Sequence, residues 1–317
     1  MAAAAKPQTV LVTGASGCLG HPLATGLAAE GRTVVGLDIA PPKSAAAYVS
    51  VTGDVNDTDL LARLFAQYRF NGVVHCGGIS GQMVAPNDPY KNCRVNIFGT
   101  VHLLEAARAH EVATFVYCSS QAAYGSTAAP SITEETAFNP TTVYGATKGA
   151  CDLLMRAYRN QHGLNTTTLR IGRVYGPGRR TESLMFTLLD AAFSGRALRL
   201  PAGGGRRLQY VYDADIVSAL AAALDAGRLP QPAYNISGPG NHSDEEIAAV
   251  VRELVPGADI SFEESSRPAE TFIAAPVDYS AASRDFGYAP QYDLRSGLAA
   301  YAAWFRNNLA RTERKVH

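Results

Sequence analysis

The first half of the chain switches repeatedly between two hydrophobic periods. The apolar, β-branched run at 9–13 predicts a parallel strand buried on both faces, and the runs at 33–37, 48–51, 72–76, 114–118 and 167–171 predict further strands. Between them, apolar residues recur every three or four positions. These stretches predict helices after Gly20 and over 57–68, 92–110 and 144–162. Pro22 suits the first turn of the first helix, where a missing N–H costs little. Strands and helices that alternate through short connections predict an α/β fold with a doubly wound parallel sheet. Past residue 175 Gly and Pro become frequent and strands shorten, and helices are predicted over 184–194 and 215–226. The change of texture divides the chain into a sheet domain over 1–174, completed by a strand near 233–237, and a smaller C-terminal α/β lobe over 175–317. The lobe is expected beside the C-terminal ends of the strands, where open α/β sheets take ligands.

The first connection carries candidate chemistry. Gly14, Ala15, Ser16, Gly17, Cys18, Leu19 and Gly20 form the turn between the first strand and the first helix. Glycines there let the backbone approach a pyrophosphate, and the helix N-terminus offers free N–H groups and a positive dipole end. The spacing is GxxGxxG rather than GxGxxG, and a glycine-rich turn by itself is also simply a tight turn. Asp38 weakens that alternative. It ends the second strand roughly 20 residues past the turn, where an acid meets the adenosine ribose hydroxyls. A carboxylate accepts from both hydroxyls and repels a ribose phosphate, which favours NAD over NADP. Arg32 lies in the preceding turn, on the wrong side of the strand for a phosphate clamp. Asp54, followed by Val55, is placed to accept from the adenine amino group, or equally to serve a turn or a cap. With this turn the sheet domain reads as Rossmann-type.

Composition changes the picture only by exclusion. The chain has 317 residues, with 28 Lys+Arg balanced by 28 Asp+Glu. No global field therefore attracts nucleic acid or an anionic membrane. No apolar run is long enough to span a bilayer. Residues 1–7 are too short for a signal core, so a cytoplasmic protein is expected. The five cysteines are scattered and odd in number, as expected of reduced, packed thiols. No His, Cys and Asp cluster has metal-ligand spacing. His75 and His242 stand alone and read as structural.

Tyr144 and Lys148 lie four positions apart, on one side of the 144–162 helix. An isolated phenol, with a pKa of about 10, is a poor base at neutral pH. A neighbouring ammonium favours the phenolate and suits the pair to proton transfer. Ser120, just past the fifth strand, is placed to hydrogen-bond a reacting oxygen. The bland alternatives are an ordinary helix pair and a capping hydroxyl. The order along the chain argues against both: glycine turn, ribose acid, strand-end serine, then Tyr and Lys, all placed for one cleft.

The chain resembles the extended short-chain dehydrogenase/reductase family, the NAD-dependent epimerase/dehydratase group. The resemblance runs through Gly14–Gly20, Asn96–Thr100, Ser119–Gly125, Pro140–Lys148, Arg170–Gly178, Arg267–Pro268 and Phe286–Trp304. It implies that Ser120, Tyr144 and Lys148 are catalytic and that NAD is the cofactor. It implies that NAD contacts Gly14, Ser16, Gly17, Cys18, Leu19, Gly20, Asp38, Asp54, Val55, Cys76, Gly77, Gly78, Asn96 and Val174, with Gly77–Gly78 beneath it and Val174–Gly178 beside the nicotinamide. It further implies a substrate-binding smaller lobe and a homodimer formed through the helices over 92–110 and 144–162.

Dehydratases and decarboxylases of the family carry an acid just after the catalytic Ser or Thr. Here Gln121 and Ala122 stand there, and neither moves a proton at neutral pH. The expectation is therefore a nucleotide-sugar 4-epimerase. A dehydrogenase of a free sugar or sugar acid needs the same groups for its first half-reaction and is the alternative, with a non-catalytic NAD-binding regulator further behind. In the smaller lobe, Arg267 matches one family diphosphate arginine. The second such position falls on Leu208, with Arg206 and Arg207 just upstream. Arg173, Arg179 and Arg180 are candidates for a carboxylate, or are exposed loop charges. Ser120, Gln121, Arg173, Arg180, Arg207 and Arg267 form the expected substrate set.

Overall fold

A computed structural model describes residues 8–42, 44–80, 88–179, 183–201, 207–263 and 275–313. The chain begins β1 (Thr9–Thr13), α1 (Gly20–Ala29), β2 (Thr33–Asp38), β3 (Val49–Thr52), α2 (Thr58–Tyr68) and β4 (Gly72–His75). It continues through α3 (Pro89–Cys93), α4 (Gly99–Ala109), β5 (Thr114–Ser120), α5 (Val143–His162) and β6 (Thr166–Ile171). The rest comprises β7 (Arg173–Tyr175), α6 (Leu184–Ser194), β8 (Leu198–Leu200), β9 (Arg207–Tyr212), α7 (Asp213–Asp225) and β10 (Ala233–Ile236). Last come β11 (Asn241–Ser243), α8 (Asp244–Leu254), β12 (Ile260–Phe262), α9 (Ser280–Phe286) and α10 (Leu294–Glu313).

Seven parallel strands form the main sheet in the order β10-β6-β5-β4-β1-β2-β3. The order reverses between β1 and β4, the point where such sheets open a crevice for ligands. Alternation along β1 sets the two core layers. Val10 and Val12 pack with Leu23, Leu27, Ile216 and Leu220 of α1 and α7. Leu11 packs on the other face with Leu64, Phe65, Leu103 and Met155 of α2, α4 and α5. A separate core of Tyr175, Leu188, Ile247, Tyr301 and Phe305 lies beneath the smaller C-terminal sheets. Among the described residues no helix is long and apolar enough to cross a membrane.

The expected single helix over 92–110 is three pieces. A short α3 passes into a π-helical turn at Arg94–Phe98 before α4 begins. A widened turn leaves the coarse apolar spacing intact, so periodicity does not reveal it. The turn carries the buried Asn96, in keeping with the habit of π-turns at functional sites. The helix expected from 215 begins two residues earlier, with Asp213 and Asp215 at its positive end.

Candidate active site

The glycine turn is as tight as backbone allows. Gly14 has φ +67°, and a Cβ there would lie 2.8 Å from Cys76 C and Gly77 N. A Cβ on Gly20 would lie 2.2 Å from Gly14 O. α1 starts behind Leu19 with no side-chain cap and no acid in its first turn. By contrast α2, α5 and α8 are capped by Asp57, Thr142 and Ser243. The positive end of α1 thus carries no capping side chain and no acid beside a glycine cradle, which fits a dinucleotide pyrophosphate.

Asp38 stands at the end of β2 against this turn. Its carboxylate accepts from the Ser16 amide at 2.9 Å and the Ala40 amide at 3.1 Å. Asp54 has a turn role: one oxygen accepts from the Asn56 amide at 2.9 Å and its side chain at 3.0 Å. The other lies 3.9 Å from Arg94. Val55 is buried beside it, against Gly99. Arg32 is paired with Asp225 and Glu30.

Cys76, Gly77 and Gly78 leave β4 directly under the cleft, and Asn96 fixes them from below. Its carbonyl oxygen accepts from the Ile79 amide at 2.8 Å. Its NH2 donates to Ile79 O at 3.2 Å and to Thr147 Oγ1 at 3.0 Å. Thr147 Oγ1 in turn donates to Tyr144 O at 2.8 Å. At Gly78, with φ +152°, a Cβ would lie 2.8 Å from Asn96 Oδ1. The π-turn thereby ties the floor to the first turn of α5.

His75 belongs to the same support. Thr100 Oγ1 donates to Asn96 O at 2.6 Å and so takes the His75 Nε2 proton at 3.1 Å. Nδ1 then accepts from Thr13 Oγ1 at 2.6 Å, and Thr13 Oγ1 accepts from the Gly77 amide at 3.1 Å. The ring is neutral: burial, with a smaller contribution from the Lys148 charge, pushes it down to about 3. The unfolded chain takes up this proton near pH 6.5 and the folded chain resists it. Stability from His75 is therefore complete above pH 6.5 and falls on acidification towards pH 3, by up to about 1.4 kcal/mol per unit. A His75→Asn variant should lose less of its own stability between pH 7 and pH 5 than the parent, as read by urea unfolding. Equal losses would show that His75 does not set the acid limb.

Ser120 ends β5, and Tyr144 and Lys148 occupy the first turns of α5. Gly145 makes their approach possible, since a Cβ there would lie 2.4 Å from Ala122 O. Ser120 Oγ accepts from the Ala122 amide at 3.1 Å, so the capping role is real, while its O–H remains to be given. Lys148 is buried, donates to Cys118 O at 2.8 Å and lies 4.8 Å from the centre of the Tyr117 ring. Tyr144 is half-buried. Gln121 begins the short 3₁₀ turn that follows Ser120.

The Val174–Gly178 segment comes to the glycine turn from the other side: a Cβ on Gly178 would touch Cys18 at 3.6 Å. Arg179 donates to Val174 O, and its electrostatic neighbours include Cys18, Tyr144, Tyr210 and Tyr301. Arg173 is exposed. Arg207 turns to Glu246, at 2.6 and 2.9 Å, and to Asn241 O at 2.9 Å. Leu208 is buried. Arg180, Arg206 and Arg267 lie outside the described residues. Sequence reasoning missed the Thr13–His75–Thr100–Asn96 support. A histidine inside an apolar strand is its one visible sign.

The reversed sheet, the glycine cradle and the helix terminus without a side-chain cap define a dinucleotide-binding protein. A model of the NAD dependent epimerase/dehydratase family matches residues 10–237, and the chain belongs to that family. It is thus an NAD-dependent enzyme of the extended short-chain dehydrogenase/reductase type, as the sequence motifs implied. It is 29% identical over 320 residues to dTDP-glucose 4,6-dehydratase of Streptomyces griseus, covering 94% of each protein. It is 30% identical over 332 residues to UDP-glucuronate 4-epimerase 1 of Arabidopsis thaliana, covering 94% of this chain and 76% of that protein. The structure of UDP-glucose 4-epimerase from Thermus thermophilus in complex with NAD superposes with a TM-score of 0.82 at 26% identity, over 94% of this chain and 99% of that one.

Proposed function

We propose that the chain is a nucleotide-sugar 4-epimerase. The observation that carries this reading is the Ser120, Tyr144 and Lys148 grouping over the Cys76–Gly78 floor, with Gln121 and Ala122 where proton-moving acids would make a dehydratase. Bound NAD supplies the hydride acceptor and donor. Gly14 and Ser16–Gly20 hold its pyrophosphate, Asp38 its adenosine ribose, and Asp54 and Val55 border the adenine. Cys76, Gly77, Gly78 and Val174 shape the nicotinamide end, and Asn96 supports it.

Tyr144 Oη takes the proton of the sugar hydroxyl and returns it. Lys148, held by Cys118 O, places a positive charge one helical turn from Tyr144. Ser120 Oγ, oriented by the Ala122 amide, donates to the reacting oxygen. Removing an alcohol proton and restoring it on the other epimer needs only these groups. A dehydratase must also move a proton at the neighbouring carbon, and neither Gln121 nor Ala122 does so.

The exposed Phe98 and Leu153, on the π-turn and α5, support a homodimer through these helices. Five free cysteines support a reducing, cytoplasmic setting. One observation favours a second reading, an NAD-dependent dehydrogenase of a free sugar or sugar acid. Leu208 stands at a family diphosphate arginine position, and Arg207 is engaged by Glu246. Arg173, Arg180 and Arg267 are the candidates for contact with a phosphate or a carboxylate.

The test is incubation with NAD and UDP-glucose, UDP-glucuronate, dTDP-glucose, free sugars and sugar acids. NADH absorbance is followed and products are resolved by NMR. Epimer without net NADH is the expected result. NADH in step with product selects the dehydrogenase. A 4-keto-6-deoxy product overturns the argument from Gln121.

A further inference from the structure

The crossover from β2 to β3 contains no described helix and ends on Tyr48, which is buried against α1 and the glycine turn. Gly36 opens the path: a Cβ there would lie 2.4 Å from Tyr48 Cε2 and 2.7 Å from Ala15 Cβ. The phenol therefore lies across β2, and its hydroxyl donates to Ala15 O at 2.7 Å. A carbonyl only accepts, so the single Tyr48 proton is committed to it. His21 Nδ1, 3.0 Å from the same hydroxyl, must then be the donor. His21 Nε2 is left to accept from Ser44 Oγ, also at 3.0 Å. The two rings meet edge to face, with centroids 5.8 Å apart.

This chain of bonds joins three pieces: the crossover through Ser44 and Tyr48, the first turn of α1 through His21, and the glycine turn through Ala15. The next residue is tied to the same crossover. Ser16 Oγ donates to Ala40 O at 2.6 Å, and its amide donates to Asp38 at 2.9 Å. A glycine-rich turn has more conformational freedom to lose than any other segment. Freezing it only when a ligand arrives would subtract from affinity, whereas a turn already fixed avoids that cost.

We propose that Ser44, His21 and Tyr48 form a brace that presets the glycine turn, which makes Tyr48 and His21 positioning residues for retention of NAD. The proposal rests on the cofactor assignment and not on the epimerase reading. Retention matters for either reaction: an enzyme that regenerates NAD in each cycle gains from slow release, and one that exchanges NADH is slowed by it.

The test is NADH dissociation from the full-length protein, by stopped-flow displacement with excess NAD and no sugar present. Tyr48→Phe keeps the ring over Gly36 and removes only the hydroxyl. Dissociation should quicken about tenfold, the worth of one buried hydrogen bond. The rise in Tm on saturation with NAD should shrink. His21→Ala should give a smaller increase, and the double variant no more than Tyr48→Phe, because the bonds act in series. A merely structural role would lower Tm with and without NAD alike and leave dissociation within about twofold of the parent, which overturns the proposal. If Tyr48→Phe does not fold, Ser44→Ala decides: faster release supports the brace, and an unchanged rate removes it.

Discussion

Replacing Tyr144 by Phe should lower turnover by about a thousandfold while NAD still binds. The substitution removes one oxygen from a half-buried side chain and leaves α5 intact. That helix is fixed by other groups: the Thr142 side chain accepts from the Gly145 amide at 3.1 Å, and Thr147 joins it to Asn96. Lys148 keeps its bond to Cys118 O, so the positive charge beneath the site persists. On the proposed mechanism, what is lost is the atom that carries the proton, and Ser120 does not replace it. A serine hydroxyl without an adjacent base is a donor to the reacting oxygen, not an acceptor of its proton. The measurement pairs a progress curve for epimer formation with calorimetric titration of NAD. Near-normal turnover would remove Tyr144 from the role of base. Lost NAD binding would make it a binding residue instead. For Lys148→Met, by contrast, loss of a buried cation from the floor should weaken both turnover and NAD binding.

The division of labour in this site explains what is legible in the sequence. The inner strands of the main sheet are short runs covered on both faces, whereas the edge strand β3 is largely exposed; each appears within about two residues of its expected ends. The glycine turn, Asp38 and the Tyr144–Lys148 pair are local patterns, readable from spacing alone. Side chains whose meaning depends on a distant partner are not readable. Arg207 looks like a phosphate ligand until Glu246, 39 residues on, is seen to hold it. Asp54 is open between two roles, and its bonds to Asn56 show the turn role. The π-turn is invisible because it displaces a helix face locally without altering its average period. Tyr48 carries no signal, since its function depends on a glycine in the neighbouring strand that simply leaves it room.

Asp152→Ala should be the most damaging change to the fold, destabilising the protein by about 3–5 kcal/mol. Asp152 on α5 and Arg170 on β6 are both buried, and their side chains meet through two hydrogen bonds of 2.8 and 3.0 Å. The guanidinium also donates to Glu134 O at 2.7 Å and Tyr124 Oη at 2.9 Å, and lies 4.8 Å from the Phe138 ring centre. Tyr124 Oη donates onward to Asn235 on β10 at 2.7 Å. One cation thus organises the excursion between β5 and α5, the segment that sets Tyr144 relative to Ser120. Removing the carboxylate leaves that cation buried without its counter-charge, and the cost is desolvation rather than a lost contact. The double variant Asp152→Ala/Arg170→Met should therefore recover much of the loss, because neither charge then remains in the core. Urea unfolding of the two variants distinguishes the cases. Recovery in stability without recovery of turnover would show that the ion pair is kept for the geometry of the Tyr144 segment. If the double variant is no more stable than Asp152→Ala, the uncompensated charge is not what destabilises the single variant.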